Sequence, residues 1–176
     1  MHHSGSRTRA NVMSESTPTL SPLPRFSEAN AAEKLAQGYS LMPDGLGFND
    51  AMAPLFLKQD DTGWNCGFFV EQHHLNPMGV CHGGVLMTFA DIGMALGIGH
   101  HTGQLLGVFT VNMNTDFLLP AAKGDWVEIH IHHVHTTKTL ANISALIHGP
   151  RGVVARTNGI YRMPRDWQKA KDEHGS

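Results

Sequence analysis

The chain has 176 residues, 41 % of them apolar and 16 % charged, with a formal net charge of −2. That length suits one domain with a sizeable core, and the charge balance points neither to nucleic acid nor to an anionic membrane surface. Its two cysteines, Cys66 and Cys81, make no disulfide framework and fit a reducing compartment.

Residues 1–25 are rich in Ser, Thr, Pro and Arg and poor in large apolar groups, which predicts a flexible tail. No apolar run follows their basic residues, so a cytoplasmic location is expected and a secretory leader is not. A single domain is expected over 26–165, with a short charged tail over 166–176. It opens with SEANAAEKLAQGYS (27–40), a cap residue followed by good helix formers, which predicts a short helix.

PLFLKQD (54–60) and GWNCGFFVEQ (63–72) read as two strands joined by a tight turn. A polar loop, HHLNPMGVC, leads into HGGVLMTFADIGMALGIG. From Gly83 to Gly99 only Thr88 and Asp91 are polar, so this helix must be wrapped by other structure. Its embedded acid and repeated glycines make a membrane span a poor reading. Gly93 and Gly97, four residues apart, would let a strand or helix approach closely.

Four strand-like runs follow, each with a period near two. In 107–119 the alternation places Phe109, Val111, Met113 and Phe117 on one face and Thr110, Asn112, Asn114 and Asp116 on the other. Runs 125–135 and 140–149 place Val127, Ile129, Ile131 and Ala141, Ile143, Ala145, Ile147 inward, and 152–163 is less regular. Short connections imply antiparallel neighbours. The sum is an α+β chain, one curved antiparallel sheet around one apolar helix, with a sheet edge free to pair with a partner chain.

Asn76, His82-Gly83-Gly84 and Asp91 stand out, with the Asn six residues before the His and the Asp nine after it. The helix should start near Gly83, where free N–H groups and the helix dipole make a positive end. Pre-aimed donors there would stabilise a developing oxyanion, typically by about 3 kcal/mol each. Asp91, in apolar surroundings, would resist ionisation and move toward general-base range, activating water or attacking a carbonyl itself. Gly83 and Asp91 are eight residues apart, roughly 12 Å along one helix. One carbonyl cannot reach both, so if both act the site spans two chains across a two-fold axis.

This constellation, with flanking GFNDAMAPLFLK and TVNMNTDFLLPAAKGD, resembles the phenylacetate-degradation type of hotdog thioesterase, in the 4-hydroxybenzoyl-CoA thioesterase superfamily. The resemblance covers roughly residues 40–163. It implies a hotdog fold, hydrolysis of an acyl-CoA or aryl-CoA thioester, interface sites in a homodimer or dimer of dimers, and no metal or organic cofactor. It implies catalytic roles for Asp91, Gly83, Asn76 and His82, and substrate-facing positions for Gly84 and Thr110; Met87, on the apolar helix, is also expected to bind substrate. Met78, Met94, Phe89 and Phe109 are further expected acyl-pocket residues. Lys123, Lys138, Arg151 and Arg156 are candidates for the CoA phosphates.

Each of these residues has a plainer reading. Asp91 could be a paired structural acid, the His-Gly-Gly a turn into a helix, Asn76-Pro77 turn chemistry, and Thr110 an ordinary strand threonine. Cys81 lacks a dedicated base, and the 13 histidines lack zinc spacing. The rival function is an acyl-CoA-binding hotdog without turnover. A hydratase or dehydratase is a third reading, but those enzymes use a different carboxylate–histidine pairing.

Overall fold

The computed structural model describes residues 27–61, 63–103, 107–165 and 167, so the expected tails lie outside the described residues apart from Trp167. The elements are α1 (Glu28–Ala36), β1 (Ser40–Leu41), β2 (Phe56–Asp60), β3 (Gly63–Phe69), α2 (Gly83–Thr102), β4 (Phe109–Phe117), β5 (Trp126–Thr136), β6 (Leu140–Gly149) and β7 (Gly152–Arg162). Short 3-10 turns occupy Gly47–Met52 and Gln72–His74. β1 and the two 3-10 turns were not expected from the sequence.

All seven strands form one antiparallel sheet in the order β1-β2-β3-β5-β6-β7-β4. Short hairpins explain β2–β3, β5–β6 and β6–β7. β4 alone lands away from its chain neighbours, at the far edge beside β7.

The sheet curls around α2, whose Leu86, Phe89, Ala90, Met94 and Ile98 join Phe68, Ile129, Ile147 and Tyr161 in one core. Two glycines set how close the helix sits. A Cβ on Gly93 would lie 2.5 Å from Ile129 Cγ2, and one on Gly97 2.7 Å from Ile131 Cγ1. α2 is long and apolar enough to cross a membrane by composition, yet half of that stretch is buried within this fold. It stops at Gly103, whose φ of +75° forms a left-handed cap.

The burial is not all-round. Gly84 and Met87 are exposed and Thr88 and Asp91 half-buried, so one stripe of α2 is left open. The β4 edge is likewise uncovered, with Phe109 67 %, Val111 56 % and Phe117 52 % exposed.

β4 departs from the expected alternation. Its pairing with β7 slips between Thr110 and Asn112, where Val111 is the extra residue of a bulge. Thr110 therefore stands opposite buried Tyr161, on the same inward face as Met113, Thr115 and Phe117. The expected polar face of Thr110, Asn112, Asn114 and Asp116 is broken at that point. The bulge inverts the parity of every residue before it.

Gly93→Leu should lower the urea unfolding midpoint by the equivalent of about 1–3 kcal/mol, because the side chain must displace Ile129 from a packed core. Gly103→Ala, with nothing near its Cβ, should show only the smaller strain of its positive φ.

Candidate active site

α2 begins at a cap built by His82. Its backbone is extended, with φ −66° and ψ 136°, and its Nδ1 accepts the Gly84 N–H at 2.8 Å. An imidazole accepting at Nδ1 carries its proton on Nε2, which remains a donor. The Val85 and Leu86 N–H groups both turn back to the His82 carbonyl, at 2.9 and 3.2 Å. Gly83 N–H has no acceptor among the described residues. Of the first two donors, then, the Gly84 group is consumed by the cap and the Gly83 group is available.

Asn76 organises the loop before the helix. Its Oδ1 accepts the N–H groups of Met78 (2.9 Å) and Val80 (3.3 Å), while its own N–H donates to the Val80 carbonyl at 2.9 Å. Only the side-chain NH2 remains for other work. The plain turn-chemistry reading of Asn76 is therefore correct for its oxygen.

His74 lies beneath this loop and was not foreseen. Only 1 % exposed, it sits edge-on to Phe68 with ring centroids 5.0 Å apart. Its Nδ1 accepts the Glu71 N–H at 3.0 Å and its carbonyl accepts the His82 N–H at 2.8 Å. Burial, with a smaller push from His73, lowers the imidazole to about 4, so it stays neutral. A His-His pair in a polar loop gave no sign of which ring would be buried.

Asn76 and Gly83 share a cleft of about 290 Å³ with Val80, Cys81, Leu86, Phe117 and residues 118–121. The Phe117 ring covers Gly83, its Cζ lying 3.1 Å from where a Cβ would stand. Any side chain there would meet that ring. Cys81 is buried, which pushes its thiol up to about 12 and makes it no nucleophile.

Asp91 sits two turns further along. Thr110 Oγ1 donates to its Oδ1 at 2.7 Å, and Tyr161 OH donates to the same oxygen at 2.9 Å. The phenol also lies 3.4 Å from the Asp91 backbone carbonyl. Oδ2 has no donor among the described residues. The expectation of purely apolar surroundings is thus corrected: the carboxylate is half-buried and held by two hydroxyls. Burial, then the adjacent Asp91 charge, hold the Tyr161 phenol protonated far above its usual range, so its O–H remains available to donate to the carboxylate. Sequence reasoning missed Tyr161, although a tyrosine at a core strand position needs a partner for its hydroxyl.

The structure therefore makes two groups from the singled-out residues. Asn76, His82, Gly83 and Gly84 gather at the start of α2, and Asp91 with Thr110 lies in the second group. Met87, 36 % exposed, lies between them on the open stripe. The described clefts bring no member of the first group together with Asp91.

Other expectations are revised. Phe89 and Met94 are fully buried core residues, not pocket walls, whereas Met78 and Phe109 are exposed. Arg151 is bonded to Asp125 and the Pro120 carbonyl, Arg156 to Asp116, and Lys123 to Gln72. His130, His132, His133 and His135 are exposed along β5, and among the described residues no three His, Cys, Asp or Glu side chains group to hold a metal ion.

Residues 78–155 match the family model described as the thioesterase superfamily. A Pseudomonas aeruginosa protein named a "putative esterase" is 29 % identical over 116 residues, spanning 65 % of this chain and 87 % of that one. The fold matches a phenylacetic acid degradation protein from Thermus thermophilus, solved as a mutant, with TM-score 0.58 and 22 % identity over 66 % of this chain and 98 % of that one. It also matches a hypothetical thioesterase protein from Streptococcus pneumoniae solved with coenzyme A, with TM-score 0.57 and 21 % identity over 66 % and 90 %. These structural likenesses establish the curved sheet around a central helix as the hotdog fold.

His74 makes the loop acid-sensitive. Its folded value near 4 lies below the ordinary 6.5, so between these values the unfolded chain binds the extra proton. Its stability contribution is full above pH 6.5 and falls as pH drops toward 4, by up to about 3 kcal/mol. Denaturant midpoints from pH 7.5 to 4.5 should fall less steeply in His74→Gln than in the parent chain.

Proposed function

We propose, taking this hotdog chain as a member of the thioesterase superfamily, that it hydrolyses an acyl-CoA or aryl-CoA thioester to the free acid and the thiol. The observation that carries this reading is the pair of complementary groups on α2. One is the Gly83 N–H, at the positive end of the helix and without an acceptor among the described residues. The other is the Asp91 carboxylate, anchored by Thr110 and Tyr161 through one oxygen. An electrophilic carbonyl needs a donor for its oxygen and a base or nucleophile for its carbon. The coenzyme A bound by the Streptococcus pneumoniae relative supports a CoA thioester as the substrate class.

In this mechanism the thioester oxygen lies against Gly83 N–H, with His82 Nε2–H as a second donor. The glycine lets the carbonyl approach the backbone. The Asn76 amide orients the attacking water or the carboxylate. Asp91 either takes a proton from water as its oxygen joins the acyl carbon, or attacks that carbon to give a mixed anhydride that water then cleaves. In both routes the C–S bond breaks and the departing thiolate ends protonated. Met87 and Gly84, on the open stripe, face the substrate.

Helix rise places Asp91 roughly 12 Å from Gly83 of the same chain, too far for one carbonyl. The site is therefore formed by the helix start of one protomer and Asp91 of another. The uncovered β4 edge, with Phe109 and Val111 exposed, and the open α2 stripe supply the two-fold contact surface. A dimer or dimer of dimers is the working enzyme.

Free-thiol release from aromatic, short, medium and long acyl-CoAs tests the activity. Asp91→Asn should lower kcat by about 10²–10⁴-fold. Absence of release from every substrate would leave a protein that binds acyl-CoA without turnover.

Shared sites are tested by complementation. Gly83→Pro removes one N–H at the first helical position, and His82 already has the extended backbone that proline demands; its ring must displace the Phe117 side chain, so retention of the fold is checked by circular dichroism. Each homodimer should be nearly inactive. Mixed Gly83→Pro and Asp91→Asn protomers should recover about a quarter of wild-type activity, since half the dimers keep one intact site. No recovery on mixing, or full activity in a monomer by sedimentation, contradicts a site built from two chains.

A further inference from the structure

We infer that Tyr161 is a positioning residue that assigns the two oxygens of Asp91 to different tasks, with Oδ1 anchored and Oδ2 reacting. This role presupposes the hydrolase reading above. A carboxylate is symmetric by itself, and rotation about its last side-chain bond exchanges the oxygens. Here two neutral donors from different strands, Thr110 on β4 and Tyr161 on β7, converge on Oδ1 at 2.7 and 2.9 Å. Rotation away from this setting breaks both bonds, so whichever oxygen occupies the anchored position leaves the other, Oδ2 here, as the one turned to the substrate.

Tyr161 is the more rigid of the two. It is 1 % exposed, whereas Thr110 lies on the exposed edge strand. Its hydroxyl is also 3.4 Å from the Asp91 carbonyl, so it is located against the helix backbone as well as the side chain. A Cβ on Gly159 would meet the Tyr161 ring at 2.6 Å and Met94 Cε at 3.2 Å, so only glycine at that position leaves room for the ring. Among the described residues no Lys, Arg or His forms an ion pair with Asp91. Among the described residues of β4 and β7 the groups bonded to it are the two hydroxyls, so its orientation rests on them.

With water as the attacking group, the water proton passes to Oδ2 while its oxygen joins the acyl carbon. The C–S bond breaks and the proton moves from Oδ2 to the thiolate. In direct attack, Oδ2 joins the acyl carbon, thiolate leaves, and water cleaves the anhydride. Oδ1 keeps both hydrogen bonds in either case.

Tyr161→Phe retains the ring and removes the donor. Its kcat should fall about 10-fold or more with KM changed less than about 2-fold, because substrate binding is untouched. The acid limb of the pH–rate profile should move up by about one pH unit, since a lost donor no longer favours the charged carboxylate. Placing 3-fluorotyrosine at 161, a stronger donor with the fold intact, should move that limb the other way. Carbon-13 NMR titration of Asp91, assigned with Asp91→Asn, should report the same two shifts without turnover. An unmoved limb and an unmoved titration in both variants would overturn the role of Tyr161. Wild-type protein that releases no thiol, with the NMR shifts present, would instead overturn the hydrolase reading and leave Tyr161 as the anchor of Asp91.

Discussion

The structure depends on the close approach of α2 to β5 through Gly93 and Gly97. With no Cβ at either position, the helix settles onto Ile129 and Ile131, and its rotation about its own axis is set. Asp91 lies two residues before Gly93, about 200° round the helix. A helix pinned by its glycine face must turn Asp91 away from the middle of the sheet. It emerges on the open stripe beside β4 and β7, where hydroxyl groups wait. A larger residue at Gly93 would tilt the helix and dissolve that relation before touching any site residue.

Around this frame the polar groups are divided. At the start of α2, His82 satisfies Gly84 and leaves Gly83 N–H over, while Asn76 spends its oxygen on the loop and keeps its amide. Two turns on, Thr110 and Tyr161 saturate one oxygen of Asp91 and leave the other. Each group is held by one atom and open at another. His74 supports the first group from below, carrying Glu71 on its ring and His82 on its carbonyl. A neutral buried imidazole suits that task because both bonds require it uncharged or indifferent to charge.

Much of this was legible in the chain. The apolar run with one acid in it required a wrapped helix, and alternation identified the strands that wrap it. The distance between Gly83 and Asp91 followed from helix rise alone. Alternation alone puts Thr110 on the wrong face, because it counts residues and a bulge adds one that pairs with nothing. Val111 carries no mark of that role. Tyr161 is hard to pick out because its strand alternates poorly and because its importance lies in a contact 70 residues away in sequence.

Sequence by itself determined the central helix and the six longer strands, the antiparallel sheet around that helix, and the separation of the two groups on α2. These follow from local periodicity, glycine placement and fixed helix geometry, none of which needs a partner element. Only the tertiary structure decided which oxygen of Asp91 is tied and that Phe89 and Met94 belong to the core. Those outcomes depend on register and on side chains arriving from distant strands, and a one-residue slip in β4 takes Thr110 off Asp91 without altering any local preference.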